Sequence, residues 1–320
     1  MKSCKICGNS HENKSFFPKE MMFGLRESFE YLLCQTCGCL QLVDPDQDLS
    51  RFYPPDYYSF STGSLRFKDP FILEKFKYFR RKYLLEKPGF IGKMIAEMTP
   101  IPRFYEYFKT GGIDRNSFVL DVGCGQGKLL NWMKREGFVN ILGIDQYISA
   151  DITYSNGLTI LKKELPALSG SFDFIMLHHS FEHMSNPKEV LSEISRLLKP
   201  GRMVLIRIPV ASSYAWEKYG INWFALDAPR HAFLHTPQSI SLLAGQTGFK
   251  VARVDYDSFE IQFWGSEQYL KDIPLMDPSS HYKKPYHLFD KKTIAEYRKK
   301  AIGLNQKGKG DSACFYLQKN

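Results

Sequence analysis

From residue 117 onward the chain alternates between two rhythms of apolar and polar positions. Short apolar runs at Ser117–Asp121, Asn140–Asp145, Leu158–Leu161, Phe172–Leu177, Met203–Ile208, Phe249–Tyr256 and Ala313–Leu317 predict seven strands. Phe172–Leu177 is apolar enough to be buried on both faces. Between the runs, Gly127–Glu136 places Leu129, Leu130 and Met133 at helical spacing and stops at Gly137. Pro187–Leu198 is a second helix, with Asn186 as N-cap and Lys199-Pro200-Gly201 as its stop. Pro237–Gly245 is a third, capped by Thr236. Strand–helix alternation of this kind predicts a parallel α/β sheet with helices on both faces.

The first 110 residues follow neither rhythm. Residues 1–50 hold a cysteine cluster, and residues 51–110 are basic and aromatic, punctuated by Tyr53-Pro54-Pro55 and Lys87-Pro88-Gly89. The expected organisation is a metal-binding module over 1–50, a helical basic linker or cap over 51–110, and one α/β domain over 111–320. At 320 residues and 43% hydrophobic composition, the chain can bury a full-sized core. It has no apolar run near the ~18 residues of a membrane span. Met1-Lys2-Ser3-Cys4 does not open an apolar leader. The expectation is a soluble, cytoplasmic protein.

Charge is uneven. Residues 51–110 carry 12 basic and 6 acidic side chains, residues 281–320 carry 10 and 3, and residues 111–280 carry 16 and 18. The basic stretches fit either solvated helix faces or a surface for an anionic partner. Phe71–Tyr83 mixes aromatics with basic side chains, as a helical cap or a membrane-surface helix would.

Five of the seven cysteines precede residue 40. Cys4-x-x-Cys7 and Cys34-x-x-Cys37 form two knuckles that suit a tetrahedral zinc ion. Cys39 is a possible substitute ligand, although Cys-x-Cys spacing fits a knuckle less well. Four protein ligands leave no open position, so the ion is expected to be structural and to fold a segment too small for its own core.

The strand ending at Asp121 runs into Val122-Gly123-Cys124-Gly125-Gln126-Gly127 and then a helix. Such a turn lets a ligand approach the main chain at the carboxyl edge of an open sheet. By itself it suits several nucleotide cofactors. Its Gly-x-Gly-x-Gly spacing departs from the Gly-x-Gly-x-x-Gly of dinucleotide folds. An acid inside the turn, Asp121, suits an ammonium or sulfonium better than a pyrophosphate. A second acid, Asp145, ends the next strand, where a carboxylate can accept hydrogen bonds from ribose hydroxyls. These features point to S-adenosylmethionine.

Val119–Gly125, Gly143-Ile144-Asp145, Ser171–Ile175, Phe181-Glu182-His183 and Leu197–Gly201 stand in the order and spacing of the class I S-adenosylmethionine-dependent methyltransferases, which the chain resembles over residues 117–208. The resemblance implies a Rossmann-like seven-stranded sheet whose last strand is antiparallel. It implies that Asp121, Gly123, Cys124, Gly125 and Gly127 line the methionine end of the cofactor, that Asp145 holds the ribose, and that Gln146 sits beside the adenine. His178 is expected to meet the cofactor through its backbone. Lys162–Leu165 corresponds to the adenine-contacting loop but lacks the family's usual aspartate.

An acceptor hydroxyl or carbon acid must be deprotonated before it is methylated, and histidine is the natural base at neutral pH. His231 in Asp227-x-Pro229-Arg230-His231 is the first choice, with Asp227 orienting it, and His183 is the second. The Pro-Arg-His stretch resembles one found in methyltransferases of small metabolites and surface sugars. Trp216, Tyr219, Trp223 and Phe224 nearby are either an aromatic wall for an acceptor or core. The Asn/Asp-Pro-Pro-Tyr/Phe motif of base and amide N-methyltransferases is replaced by Leu177-His178-His179-Ser180. The favoured function is O- or C-methylation of a sugar, nucleotide-sugar or related small metabolite. An RNA methyltransferase gripping phosphates with Arg66–Lys109 is the alternative, and a non-enzymatic membrane-associated scaffold is the third reading.

Overall fold

The computed structural model describes residues 2–45, 48–54, 70–86 and 89–320. Pro55, Arg66, Lys68, Lys87 and Pro88, which figured in the expected breaks and basic stretch, lie outside the described residues.

The seven expected strands form one mainly parallel sheet. They are β4 (Val119–Val122), β5 (Ile141–Ile144), β7 (Thr159–Leu161), β8 (Phe172–His178), β9 (Leu198–Pro209), β11 (Phe249–Tyr256) and β12 (Ser312–Lys319), and they are joined by a two-residue strand, β6 (Ile152–Thr153). The order is β11-β12-β9-β8-β4-β5-β7-β6. At its centre β4 pairs in parallel with β5 and β8, with Asp121 opposite Gly143 and Met176. Every residue of β4 is buried, as its apolar run requires for a central parallel strand. Strand β6 was not expected. It is an antiparallel edge pair on β7, too short to show a pattern of its own. Strand β9 begins at Leu198, where the helix α5 (Pro187–Leu197) stops. Lys199-Pro200-Gly201, expected only as a helix stop, is already extended. The reason is long-range: Gln318 donates to the Gly201 carbonyl and the Lys319 ammonium to the Leu198 carbonyl.

The described residues fall into two compact units, each made of separate stretches of chain. One comprises 2–54, 181–191 and 207–315; the other comprises 70–180, 192–206 and 316–320.

In the first unit, β1 (Lys14–Phe16), β2 (Tyr31–Leu33) and β3 (Leu40–Leu42) form an antiparallel meander, and β10 (Phe233–Leu234) adds to it as a fourth strand. Tyr31, Leu40, Leu42 and Phe52 are buried in one core with Trp223, Leu226, Leu234 and Phe263. The cysteine segment therefore has no separate core, as its length would lead one to expect. Thr236 caps α7 (Pro237–Gln246) with a full capping box through Ser239, and its hydroxyl donates to the Cys37 carbonyl.

In the second unit, α1 (Phe71–Arg81), α2 (Phe90–Met98) and α3 (Phe104–Gly111) precede β4. Three of their basic residues turn inward. Lys77 and Arg80 pair with the Glu136 carboxylate, Tyr105 donates to it, and Arg81 donates to the Glu136 carbonyl. Three cations that the composition counts toward a basic surface are thus buried on the end of α4 (Lys128–Arg135). A buried carboxylate is tolerated only with partners of this kind.

Candidate active site

The glycine turn sits between β4 and α4, as expected. Gly123, Gly125 and Gly127 all have left-handed backbone, with φ of 72°, 54° and 72°, which is costly for any residue with a Cβ. At Gly123 a Cβ would lie 2.5 Å from that of Ser180, whose hydroxyl donates to the Val122 carbonyl. The Gly125 N–H donates to Asp145 Oδ2, and the Tyr147 N–H donates to Asp145 Oδ1. Asp145 therefore braces the turn through the backbone, and each oxygen keeps a lone pair for a further donor.

Beside the turn is an open cleft of about 350 Å³, lined by Asp121, Gly123, Cys124, Lys128, Leu129, Trp132 and His178. Of the expected cofactor residues, Asp121, Gly123, Cys124 and His178 line it, while Gly125, Gly127, Asp145 and Gln146 do not. Lys128, Leu129 and Trp132 were missed. They lie on the first turns of α4, and the i, i+4 spacing of Lys128 and Trp132 puts both on one face. Tyr107 of α3 stacks obliquely on His178 at 5.3 Å, and Phe104 meets Trp132 edge-on at 5.5 Å.

Asp121 is 3% exposed, and its Oδ1 has no hydrogen-bond partner among the described residues. Burial, together with the nearby Asp145 charge, pushes its carboxyl well above the usual range. A desolvated carboxyl group with one unpartnered oxygen at the wall of a cleft fits a cationic ligand, whose charge would favour its ionised form.

The histidine cluster belongs entirely to the first unit. His183 and His231 meet edge to face, with ring centroids 4.8 Å apart. Ligand-type atoms of Glu182, His183 and His231 all lie within 4.8 Å of one another. His231 Nδ1 is 2.8 Å from the Ala225 carbonyl, and His183 Nδ1 is 2.8 Å from the Arg230 carbonyl. A carbonyl only accepts, so both rings carry a proton on Nδ1, and in the neutral form of this tautomer the lone pair is on Nε2. Burial, and then the neighbouring His183, push the His231 pKa down to about 4, so it is neutral at pH 7.

Asp227 differs from its expected role. Its carboxylate receives both Arg230 Nε (3.0 Å) and Nη2 (2.6 Å), and it lies 3.8 Å from His231 Nε2, too far for a hydrogen bond. The imidazole is oriented instead by the Ala225 carbonyl. Although burial raises the Asp227 pKa, Arg230 holds it below the ordinary value.

Four further residues of this cluster were not anticipated. Tyr31 donates to the His231 carbonyl (2.7 Å), the Tyr53 hydroxyl is 3.3 Å from His183 Nδ1, Glu20 accepts from Arg230 Nη2 (2.9 Å), and Glu182 is fully buried beside the histidines. No spacing rule links residues 200 positions apart, and only Glu182 adjoined a motif. Trp223 and Tyr219, offered as an acceptor wall, are core; Trp223 is 1% exposed and its indole donates to Asp311. His235 is a buried core residue stacked between Phe181 and Phe233.

Residues 95–254, half of the chain, match the model of a family described as a methyltransferase domain. The chain belongs to this family. As an S-adenosylmethionine-dependent methyltransferase it has distant curated relatives. It is 29% identical over 109 residues to a ubiquinone biosynthesis O-methyltransferase of Pectobacterium atrosepticum, covering 31% of this chain and 45% of that one. It is 32% identical over 117 residues to a tRNA (carboxymethyluridine(34)-5-O)-methyltransferase of Mus musculus, covering 34% and 17%. The chain spans about half the length or less of these relatives. Among solved structures, a putative sarcosine dimethylglycine methyltransferase from Galdieria sulphuraria matches with a TM-score of 0.43 at 18% identity, covering 67% of this chain and 83% of that one.

The methyltransferase also carries the expected cysteine cluster. Cys4, Cys7, Cys34 and Cys37 gather their sulfurs within 4.8 Å of one another, with Cys4–Cys37 at 3.6 Å and Cys7–Cys34 at 3.4 Å. Tetrahedral zinc with ~2.3 Å bonds needs sulfurs ~3.8 Å apart. The two knuckles repeat one backbone pattern: Gly8 N–H to the Cys4 carbonyl and Gly38 N–H to the Cys34 carbonyl. Cys39 is not in the cluster; it is fully buried, with His235 Nδ1 at 4.0 Å.

Proposed function

We propose that this methyltransferase alkylates an oxygen or carbon atom of a sugar, nucleotide-sugar or related small metabolite, with His231 as general base. The observation that carries this reading is the neutral His231 ring, its Nδ1–H tied to the Ala225 carbonyl and its Nε2 lone pair unprotonated. A base of that kind is needed for a hydroxyl or carbon acid and is unnecessary for an amine that is already neutral. His183 shares the same tautomer and follows His178 of the cleft by five residues in the sequence. The likeness to an O-methyltransferase supports oxygen as acceptor. The Pro229-Arg230-His231 stretch supports the sugar class by resemblance.

S-adenosylmethionine, when bound, supplies an electrophilic methyl group on a sulfonium. Asp121 fits its cationic methionine end, and Gly123, Cys124 and His178 border the cleft that would hold it. Asp145 and Gln146 are proposed for the ribose and adenine. Cys4, Cys7, Cys34 and Cys37 are proposed to hold one structural zinc ion.

The test is a methyl-transfer screen of the purified protein against nucleotide sugars, small phenols and diols, and RNA. Turnover on a nucleotide sugar, abolished by His231→Ala while cofactor binding survives, is the expected result. Turnover on RNA alone, or full activity of His231→Ala, would overturn the acceptor class or the base respectively. The RNA reading has less support from charge, because Lys77, Arg80 and Arg81 are buried on Glu136.

A further inference from the structure

The loop between β1 and β2 folds around a single carboxylate. Glu20 is fully buried, and it accepts the backbone N–H groups of Met22 and Phe23 at Oε1 and of Leu25 at Oε2. The loop closes on itself through Glu20 N–H to the Glu27 carbonyl and Phe29 N–H to the Pro18 carbonyl. It is pinned from outside by Leu275 and Met276, which donate to the Met21 and Met22 carbonyls. This is a rigid support, and its interior carboxylate is aimed at Arg230.

Arg230 is also fully buried, and it links three things at once. Its Nη2 reaches both Glu20 and Asp227, its Nε reaches Asp227, and its own carbonyl accepts the His183 Nδ1–H. Its guanidinium lies over the Phe23 ring of the same loop at 5.5 Å. One guanidinium between two carboxylates resists rotation, because each displaced partner would become an unpaired buried charge. The carbonyl that fixes the His183 tautomer is thereby held by a side chain 210 residues earlier.

We infer that Glu20 is a positioning residue for the histidine cluster: through Arg230 it fixes the backbone carbonyl that sets the His183 tautomer, so that the cysteine-bearing segment supplies part of the geometry of the cluster. The inference rests on the histidine-base reading for its kinetic consequence but not for its structural one. Glu20 does not touch either ring and acts through Arg230.

The test combines nitrogen-15 NMR of the histidine rings with kinetics on the full-length protein. In the unaltered protein both His183 and His231 are expected as the Nδ1–H tautomer; finding His183 as Nε2–H overturns the inference before any substitution is made. Glu20→Gln is expected to give mixed tautomers at His183, to lower kcat by up to about 100-fold, and to leave S-adenosylhomocysteine affinity within about twofold. Glu27→Gln, in the same loop but with its carboxylate paired at the surface with Arg51, is the control and should change neither. If Glu20→Gln does not fold, Glu20→Asp keeps the charge with a shorter reach and should show the tautomer change more weakly. A folded Glu20 variant with unchanged ring signals and unchanged kcat refutes the positioning role. A changed His183 tautomer with undiminished turnover would instead leave the structural link intact and refute its kinetic consequence.

Discussion

The glycine turn occupies Asp121–Gly127 and is braced by Asp145, Tyr154 and Ser180, whereas the histidine cluster is drawn from residues 20, 31, 53, 182, 183 and 225–231. The turn is a backbone device. Its left-handed glycines and its hydrogen bonds to Asp145 are local consequences of a strand meeting a helix. The cluster is a side-chain device, in which backbone carbonyls orient the rings and the residue bearing one of them, Arg230, is held by the buried charge of a distant segment. The first tolerates little substitution of glycine; the second depends on partners that no short motif contains.

The sharpest way to break the comparison is to disable each region alone. His231→Ala is expected to lower turnover by about 10²–10⁴-fold while leaving S-adenosylhomocysteine binding, measured by calorimetry, within about twofold. Asp121→Ala should do the reverse, weakening cofactor binding strongly while the ring nitrogens of His183 and His231 keep their NMR signals. If either variant lost both properties while remaining folded, the two regions would not be separable.

Metal removal tests the support under the cluster. Metal analysis is expected to find one zinc per chain, and a strong chelator should lower the melting temperature and expose four reactive thiols. Cys39→Ala should retain the metal, since its sulfur lies outside the cluster. A metal-free protein of full stability would end the structural-zinc proposal.

Gly123→Ala probes the backbone device. The left-handed φ and the Ser180 contact together predict a loss of about 1–3 kcal/mol, seen in thermal unfolding or cofactor affinity. Gly157 has a similar φ of +76° but open space around its Cβ position. Gly157→Ala should therefore cost only the conformational part, about 1 kcal/mol.

The pH profile sharpens the contrast with smaller effects. With the His231 pKa near 4 in the folded protein, kcat/KM should stay flat as pH falls through 6.5. The unfolded chain takes up this proton first, so the stability associated with the neutral ring is present above about pH 6.5 and is lost as pH falls toward 4. Denaturant midpoints of the unaltered and His231→Ala proteins across that window measure it. Asp311 has the opposite sign. Burial raises its pKa from 3.8 to about 6, so the stability from its protonated form is present below about 3.8 and lost as pH rises through 6. Asp311→Asn keeps an acceptor for Trp223 and should stabilise the fold by about 1 kcal/mol at pH 8, with little change at pH 4.

By itself, the sequence determined the strand order's raw material, the glycine turn and the cysteine knuckles. Each depends on neighbours within about ten residues: apolar periodicity, left-handed glycines, and paired thiols three positions apart. Thr236 as a cap and Asp121 as an acid facing a cleft were legible for the same reason. Only the tertiary structure decided the rest. It turned three cations of the basic stretch inward onto Glu136, made Trp223 core, gave Asp227 to Arg230 instead of His231, and brought Glu20, Tyr31 and Tyr53 to the histidines. Burial and tertiary pairing set those roles, across 130 to 210 residues for Glu20, Tyr31 and Tyr53, and a linear pattern carries no record of which distant charge will share a dry interior with which.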